Sequence, residues 1–402
     1  MSHENAKHPL RNSNFRLLWA GGAISAAGDQ FYLVALPWLI LGLTGSGAVL
    51  GAIMMMGAVP RSVLMLIGGA VTDRFSPRKI MMTTASSRTV LVAAIAVLIW
   101  THRIELWQLY ALAFLFGVAD AFAAPAAQTY LPSLLEPEQL PAANSVSQAT
   151  GQVLTLTVPA PAGLVVTALG TAWAFFIDAV SFLFILAALW RLPDPPKHES
   201  AAPRKNMIRA ILDGLLYVRN DVVLRSFMLL IAVLNFCIAG PFGVGIAFIA
   251  KKQFGSPTAY GLLVSSLAAG ALCGLLLAGV WKLRRRGLLL LTASAAIGIC
   301  TACIGLLVHL WSLATLLFLV SATSGFLNVQ ILAWFQQRVD RPMLGRVMSV
   351  LMFAAVGLMP FSLAAAGAAV QWSARGMFAV AGAAVLVVTI AAAMHRPVRE
   401  IA

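Results

Sequence analysis

The sequence predicts an all-α integral membrane protein of twelve transmembrane helices in two six-helix pseudo-repeats. Three observations carry that expectation. Hydrophobic residues fill 60% of the 402 positions and charged residues only 10%, against roughly 25% charged in a soluble domain. The polar residues gather in short stretches between long apolar runs, and about 20 apolar residues suffice for a helix to cross the hydrocarbon. The cations, finally, collect on alternate loops.

In chain order the apolar runs fall at about 17–42, 48–71, 80–100, 106–128, 144–168, 172–191, 226–250, 259–281, 288–308, 311–334, 347–370 and 376–395. Helices are the sensible assignment, because the runs do not alternate as barrel strands must and an open sheet cannot satisfy its backbone in lipid. Pro37, Pro60, Pro159, Pro161, Pro241 and Pro360 lie inside runs, where membrane helices accept them as kinks. The first run reads as a span rather than a cleaved leader. It exceeds the roughly 7–15 residues of a leader's apolar region, holds Asp29 and lacks a small-residue cleavage site. The longest polar stretch, about 193–210, divides the chain into a first bundle at 1–192, a cytoplasmic linker at 193–222 and a second bundle at 223–402. Within the linker, apolar residues recur at helical spacing from Met207 to Arg219, the pattern of a short helix lying on the membrane surface.

With the N-terminus inside, one set of loops takes Arg74, Arg78, Lys79, Arg284, Arg285, Arg286, Arg338, Arg341 and Arg346 among many others. The opposite set takes Arg103, Lys251, Lys252 and Arg375. That bias places both termini in the cytoplasm. The formal net charge of +14 then needs no nucleic acid partner; it is a topology signal assisted by anionic membrane lipid.

Charges inside the runs are the functional candidates: Asp29, Arg61, Arg88, Asp120 and Asp178, all in the N-terminal half. Each costs about 2.5–3.5 kcal/mol at a helix centre on insertion scales. Counted at about 1.5 Å per residue from the cytoplasmic ends, Arg88 and Asp120 lie roughly 12 Å deep, Arg61 roughly 15 Å and Asp29 roughly 18 Å. These four are expected to pair. Asp178, roughly 9 Å from the outer face by the same count, is expected to stand apart. A carboxylate beside a guanidinium stays ionised, and withdrawal of the partner favours protonation. Asp29 and Asp120 are therefore the proton-coupling candidates, with Arg61, Arg88 and Asp178 completing a charge network. The bland alternative is a set of static pairs holding helices together.

The stretch Gly69-Ala-Val-Thr-Asp73-Arg74-Phe-Ser76-Pro77-Arg78-Lys79 resembles the loop between helices 2 and 3 of the major facilitator superfamily, G-x-x-x-D-R-x-G-R-[RK]. Gly69, Asp73, Arg74, Arg78 and Lys79 match, while Ser76-Pro77 departs from the pattern. The resemblance implies a gating loop that latches the halves shut on the cytoplasmic side. A weak internal echo fits a duplicated design: Leu140 to Val146 matches Leu344 to Val350, and Gly279 to Arg286 is a degraded partner of the Gly69 loop. Asn14-Phe-Arg16-Leu-Leu-Trp19, Gly28-Asp29-Gln30, Gly117-Val-Ala-Asp120, Leu140-Pro141-Ala-Ala-Asn144, Phe176-Ile-Asp178 and Gly345-Arg346-Val-Met-Ser349 are similar to the bacterial drug-efflux branch that includes macrolide exporters and the enterobactin exporter. The helix 5 signature G-P-x-x-G-G reads Val158-Pro159-Ala-Pro161-Ala-Gly163 and keeps one proline and the last glycine.

Tyr32, Phe116, Asn235, Phe242, Asn328, Gln330 and Trp334 are the candidates for a substrate cavity. Apolar walls with scattered hydrogen-bonding groups suit a hydrophobic or amphipathic molecule. Cys300 and Cys303 lie in an apolar run with no second Cys or His cluster, and Cys237 and Cys273 are single; all four read as packing residues, with no metal, disulfide or cofactor expected. No phosphate-binding glycine loop and no cluster of nucleophile and base is present, which argues against an ATP-driven pump and an enzyme. Together with the resemblance, these features imply a monomeric multi-pass exporter in the bacterial inner membrane, driven by proton antiport through alternating access. A siderophore exporter, a lysophospholipid flippase and a transport-inactive membrane sensor are the alternatives.

Overall fold

The computed structural model describes residues 8–194, 215–280 and 286–395; within these, the side chains at 66–70, 73, 286, 341–342, 349 and 355–356 are not described. Every regular element among the described residues is helical. The chain forms two compact units, Met1–Leu43 with Met56–Ala202 and Ser256–Gly261, and Thr44–Met55 with Pro203–Gly255 and Leu262–Ala402.

Seven helices supply the first unit: α1 (Ser13–Thr44), α2 (Gly47–Arg74), α3 (Pro77–Trp100), α4 (Leu106–Tyr130), α5 (Leu140–Thr157), α6 (Pro159–Leu169) and α7 (Thr171–Arg191). The opening residues 47–55 of α2 belong to the second unit. Local chemistry sets the ends. The Asn12 carboxamide oxygen accepts from the backbone N–H groups of Asn14 (2.9 Å) and Phe15 (3.2 Å), capping α1. Pro77 begins α3, a position whose N–H has no helical partner in any case. Glu105 and Gln108 form a capping box at the start of α4. Between α5 and α6 the chain bends by 42° at Val158-Pro159, where the proline ring removes a helical hydrogen bond. Helix α3 packs along α4 and α7.

The second unit contains α8 (Val222–Gly240), most of α9 (Pro257–Val280), α10 (Arg286–Ile304), α11 (Leu310–Arg338), α12 (Arg341–Met352), α13 (Met359–Trp372) and α14 (Ala374–Met394). Asp221 caps α8 by accepting from the Val223 and Leu224 N–H groups at 2.8 and 3.2 Å. Beyond Gly240 the helix continues through π-helical turns at Pro241–Gly245 and Ala250–Phe254. The first of these begins at a proline, which cannot donate to the regular ladder. Helix α10 packs on α11 and α14, and α8 on α13 and α14. Phe227, Leu230, Val320, Phe335 and Val385 fill the core between them.

Among the described residues ten helices are long and apolar enough to cross a membrane, or eleven when α5 and α6 count as one bent span. The run expected at 347–370 falls on α12 and α13, with the π-helical turn Phe353–Gly357 between them. Most of the expected surface helix at 207–219 lies outside the described residues, which resume in helix at 215–220. Positions 281–285 of the degraded loop echo, and the surroundings of Gly69 and the Asp73 side chain in the gating loop, also lie outside them.

Candidate functional site

Helix α1 can approach α7 closely because residue 28 is glycine. A Cβ there would overlap Ser181 Oγ and stand 2.7 Å from Asp178 Oδ1. This contact sets Asp29, the next residue, beside Asp178. Asp178 is fully buried; Ser181 Oγ donates to its carbonyl at 2.7 Å and lies 3.5 Å from Oδ1. Its Oδ2 has no partner among the described residues. The expectation that Asp178 stands apart is therefore corrected. Counted from the cytoplasmic end of its own run, at 191, Asp178 lies roughly 20 Å deep, level with Asp29; measuring the two acids from opposite faces hid this.

The remaining charges form a chain across α1, α2, α3 and α4. Arg61 Nε lies 3.0 Å from Asp120 Oδ2, Arg88 Nη1 lies 3.5 Å from Asp120 Oδ1, and Arg88 Nη2 donates to Asp29 Oδ1. Arg88 is the hub. Its guanidinium sits 4.9 Å from the centroid of Phe116 and 4.3 Å from that of Phe182, an arrangement that stabilises a cation screened from water. Phe116 in turn stacks on Tyr32 with ring centroids 4.6 Å apart. Tyr32 and Phe116, expected in a substrate cavity, thus form the packing beneath the hub.

A cavity of about 770 Å³ opens on the other side of that hub. Arg88 and Asp120 line it, with Phe15, Trp19 and Phe182 as aromatic walls and Gln128, Asn144 and Thr150 as neutral polar groups. Trp19 Nε1 donates to Thr150 Oγ1 at 3.0 Å, tying α1 to α5 across the wall. Small side chains at Gly22, Ala23, Ala26, Ala123, Ala124, Ala127 and Gly151 make the space. The sequence carried a signal for this site in small residues three and four apart on α1 and α4, spacing that puts them on one helix face. Asp29 is not on the cavity wall; it reaches the cavity through Arg88.

The other cavity candidates lie in the second unit. Trp334 is buried in its core, 5.0 Å from Phe227 and 5.1 Å from Phe335 between ring centroids. Phe242 packs against the same core. Asn235 donates to the Ile231 carbonyl at 2.9 Å and Gln330 to that of Ala278 at 3.3 Å, so both amides serve helix backbone. Asn328 is exposed.

Within the gating loop, Arg74 and Lys79 are exposed, whereas Arg78 is engaged. Its guanidinium donates to the carbonyls of Leu189 (2.7 Å) and Trp190 (3.1 Å) and lies 3.2 Å from Asp194. These carbonyls close α7, that of Leu189 also accepting from the Leu192 N–H at 3.3 Å, and a cation there meets the negative end of the helix dipole. Ser76 Oγ adds a hydrogen bond to Asp194 at 3.3 Å. The Asp194 carboxyl is consequently held below the usual carboxylate range, chiefly by the Arg78 hydrogen bond. Among the described residues no group of His, Cys, Asp and Glu is placed to hold a metal ion.

Comparison with known proteins bears on the whole chain. Residues 5–401 match the family described as transmembrane secretion effector. Macrolide efflux protein A of Streptococcus pyogenes is 26% identical over 346 residues, covering 84% of each chain. Multidrug efflux pump Tap of Mycobacterium tuberculosis is 26% identical over 375 residues, covering 89% of this chain and 88% of its own. Among solved structures, the nucleoside transporter NupG superposes with a TM-score of 0.77 at 12% identity, covering 94% of this chain and 98% of that one. A bacterial homologue of the iron transporter ferroportin in an inward-facing state gives 0.68 at 16% identity, covering 94% and 97%. At such identities the likeness establishes the fold alone. A helical, multi-span chain matched along nearly its full length belongs to the transmembrane secretion effector family, within the major facilitator superfamily of transporters.

Proposed function

We propose that this chain exports hydrophobic or amphipathic small molecules in exchange for protons, by alternating access, as a monomer in the inner membrane of a bacterium. Both termini lie in the cytoplasm in this reading. The proposed twelve spans count α5 with α6, and α12 with α13, as one span each. The efflux functions of the two relatives support export, and the largely apolar cavity supports the substrate class.

The observation that carries the coupling is Arg88 shared by two acids, one on the cavity wall and one behind it. A guanidinium so placed can favour either carboxylate. A conformational change that draws Arg88 toward Asp120 leaves Asp29 in a low-dielectric site without its counter-charge, and an acid in that position takes up a proton. Return of Arg88 expels it. Asp120 keeps Arg61 in both arrangements, which suits a fixed anchor. Asp29 is therefore the proton carrier, and Asp120 the positioning acid.

Asp29→Asn should abolish uphill efflux driven by an imposed pH gradient in proteoliposomes, while downhill exchange of substrate persists. Asp120→Asn should instead reduce the amount of folded protein, because it deprives Arg61 of its carboxylate and leaves Arg88 with Asp29 alone. Gradient-driven pumping by Asp29→Asn at the wild-type rate refutes the assignment. A wild-type protein that exports while ignoring the gradient refutes antiport and leaves a uniporter or flippase.

A further inference from the structure

Beside the main cavity the first unit holds a second pocket of about 330 Å³, well beyond the roughly 30 Å³ one water occupies in the liquid. Its chemistry differs from that of its neighbour. Gln30 of α1 faces Gln148, Gln152 and Thr155 of α5, and no charged side chain lines it. Gln30 is only 9% exposed, and its Oε1 has no hydrogen-bond partner among the described residues. A buried amide oxygen left unpaired costs the desolvation of that group, so something must ordinarily satisfy it. Thr155 donates to the Gly151 carbonyl at 2.9 Å, which leaves its oxygen as an acceptor. Each glutamine offers both donors and acceptors. The pocket thus presents a neutral, mixed hydrogen-bonding surface. The two spaces are continuous in their lining, since Ala26, Gly151 and Leu154 border both.

We propose that this glutamine pocket is a substrate subsite for a hydroxyl-bearing ring, such as a sugar, attached to an apolar body that occupies the main cavity. A cationic head would find no carboxylate here, and an anionic one no guanidinium. Ring hydroxyls, which both donate and accept, match the three amides and Thr155. The inference rests on the export reading above and refines it: the transported amphiphiles are favoured when one end is a polyhydroxylated neutral group.

The test uses the purified full chain in lipid nanodiscs and two radiolabelled probes, octyl β-glucoside and the octyl ether of tetrahydropyran, the same ring without its hydroxyls. Binding is measured by scintillation proximity, with empty nanodiscs subtracted. The wild type should bind the glucoside about tenfold more tightly, the effect of roughly one well-made hydrogen bond. Gln30→Leu and Gln152→Leu should each bring the glucoside down toward the level of the hydroxyl-free probe. Gln148→Leu, at an exposed position with little bearing on folding, should reduce the preference less. Equal affinity of the two probes in the wild type, a preference that survives both Gln30→Leu and Gln152→Leu, or no retention of either probe above empty discs would each overturn the subsite. Rhodamine 6G efflux from proteoliposomes separates the two proposals. Efflux without glucoside preference sinks the subsite and leaves export standing, whereas glucoside preference without efflux of any probe sinks export and leaves the subsite.

Discussion

In the first unit a guanidinium is clasped by two phenyl rings and two carboxylates within the helices. In the second, the ion pair among the described residues sits at helix ends, Arg338 to Asp221 at 3.2 Å, and the interior is held by contacts such as Phe227 on Trp334. Removing buried ions from water costs several kcal/mol each, and their mutual attraction only partly offsets it. Aromatic packing carries no such cost. A chain needing stability alone could furnish both units in the second manner, and the cost of the first unit's charges accords with the coupling role proposed for them.

The largest effects should come from the two hubs, and they should differ in what rescues them. Arg88→Ala strands Asp29 and leaves Asp120 with one partner, at a cost of about 3–5 kcal/mol. Trp334→Ala opens a cavity in the second core at a similar cost of about 3–5 kcal/mol. Adding Asp29→Asn to Arg88→Ala should restore much of the lost melting temperature in detergent, since the stranded charge is gone. No single polar substitution should restore Trp334→Ala. Equal failure of rescue in both would show that Arg88 acts through packing on Phe116 and Phe182 rather than through charge.

Much of this architecture is legible in the sequence because lipid enforces it. Long apolar runs must be helices, and helices form over them. The rarity of charge within spans also singles out Asp29, Arg61, Arg88 and Asp120 without any structure. What is not legible depends on which helices are neighbours and on helix rotation. Residue counts put Asp178 and Asp29 at similar depth, but that α7 packs on α1 at Gly28 is a tertiary contact, which counting cannot reveal. Tyr32 lies three residues beyond Asp29, on the same face of α1, yet the ring stacks on Phe116 instead of facing open space. The cavity itself is built from alanines and glycines, residues whose contribution is the volume they leave free. Trp334 and Phe242 read equally well as core or cavity until their neighbours are known.

Close helix contact offers an intermediate test, because both units use it with different neighbours. A Cβ at Gly274 would overlap the Ala322 carbonyl oxygen and stand 2.7 Å from its carbon. Backbone cannot be trimmed, so Gly274→Ala should destabilise by about 1–3 kcal/mol with no second-site remedy. Gly28→Ala meets the Ser181 side chain first, and Ser181→Gly should recover part of a similar loss. Thermal melts of the two single variants and the double variant measure this. Recovery of Gly274→Ala by trimming a neighbouring side chain, or none for Gly28→Ala, would reverse the distinction.

The smallest expected effect is at the end of α7, where Arg78 pairs with Asp194. Asp194 is exposed, and water screens its pairing with Arg78, so Asp194→Asn should lower the melting temperature only slightly. The sign with pH follows from the depressed carboxyl. A group whose folded value lies below its unfolded one binds fewer protons in the folded chain, so its contribution is present above the unfolded value, near 4, and is lost as pH falls through the folded one. The gap between wild type and Asp194→Asn should therefore be present at neutral pH and close below about pH 4. Arg78→Lys separates the partners further. A lysine can still pair with Asp194, but it cannot match the planar fork that reaches the Leu189 and Trp190 carbonyls together. It should therefore keep the same pH dependence while melting earlier at every pH. Should Arg78→Lys melt like the wild type but lose transport, the loop would owe its arginine to gating, and its bonds to α7 would be incidental.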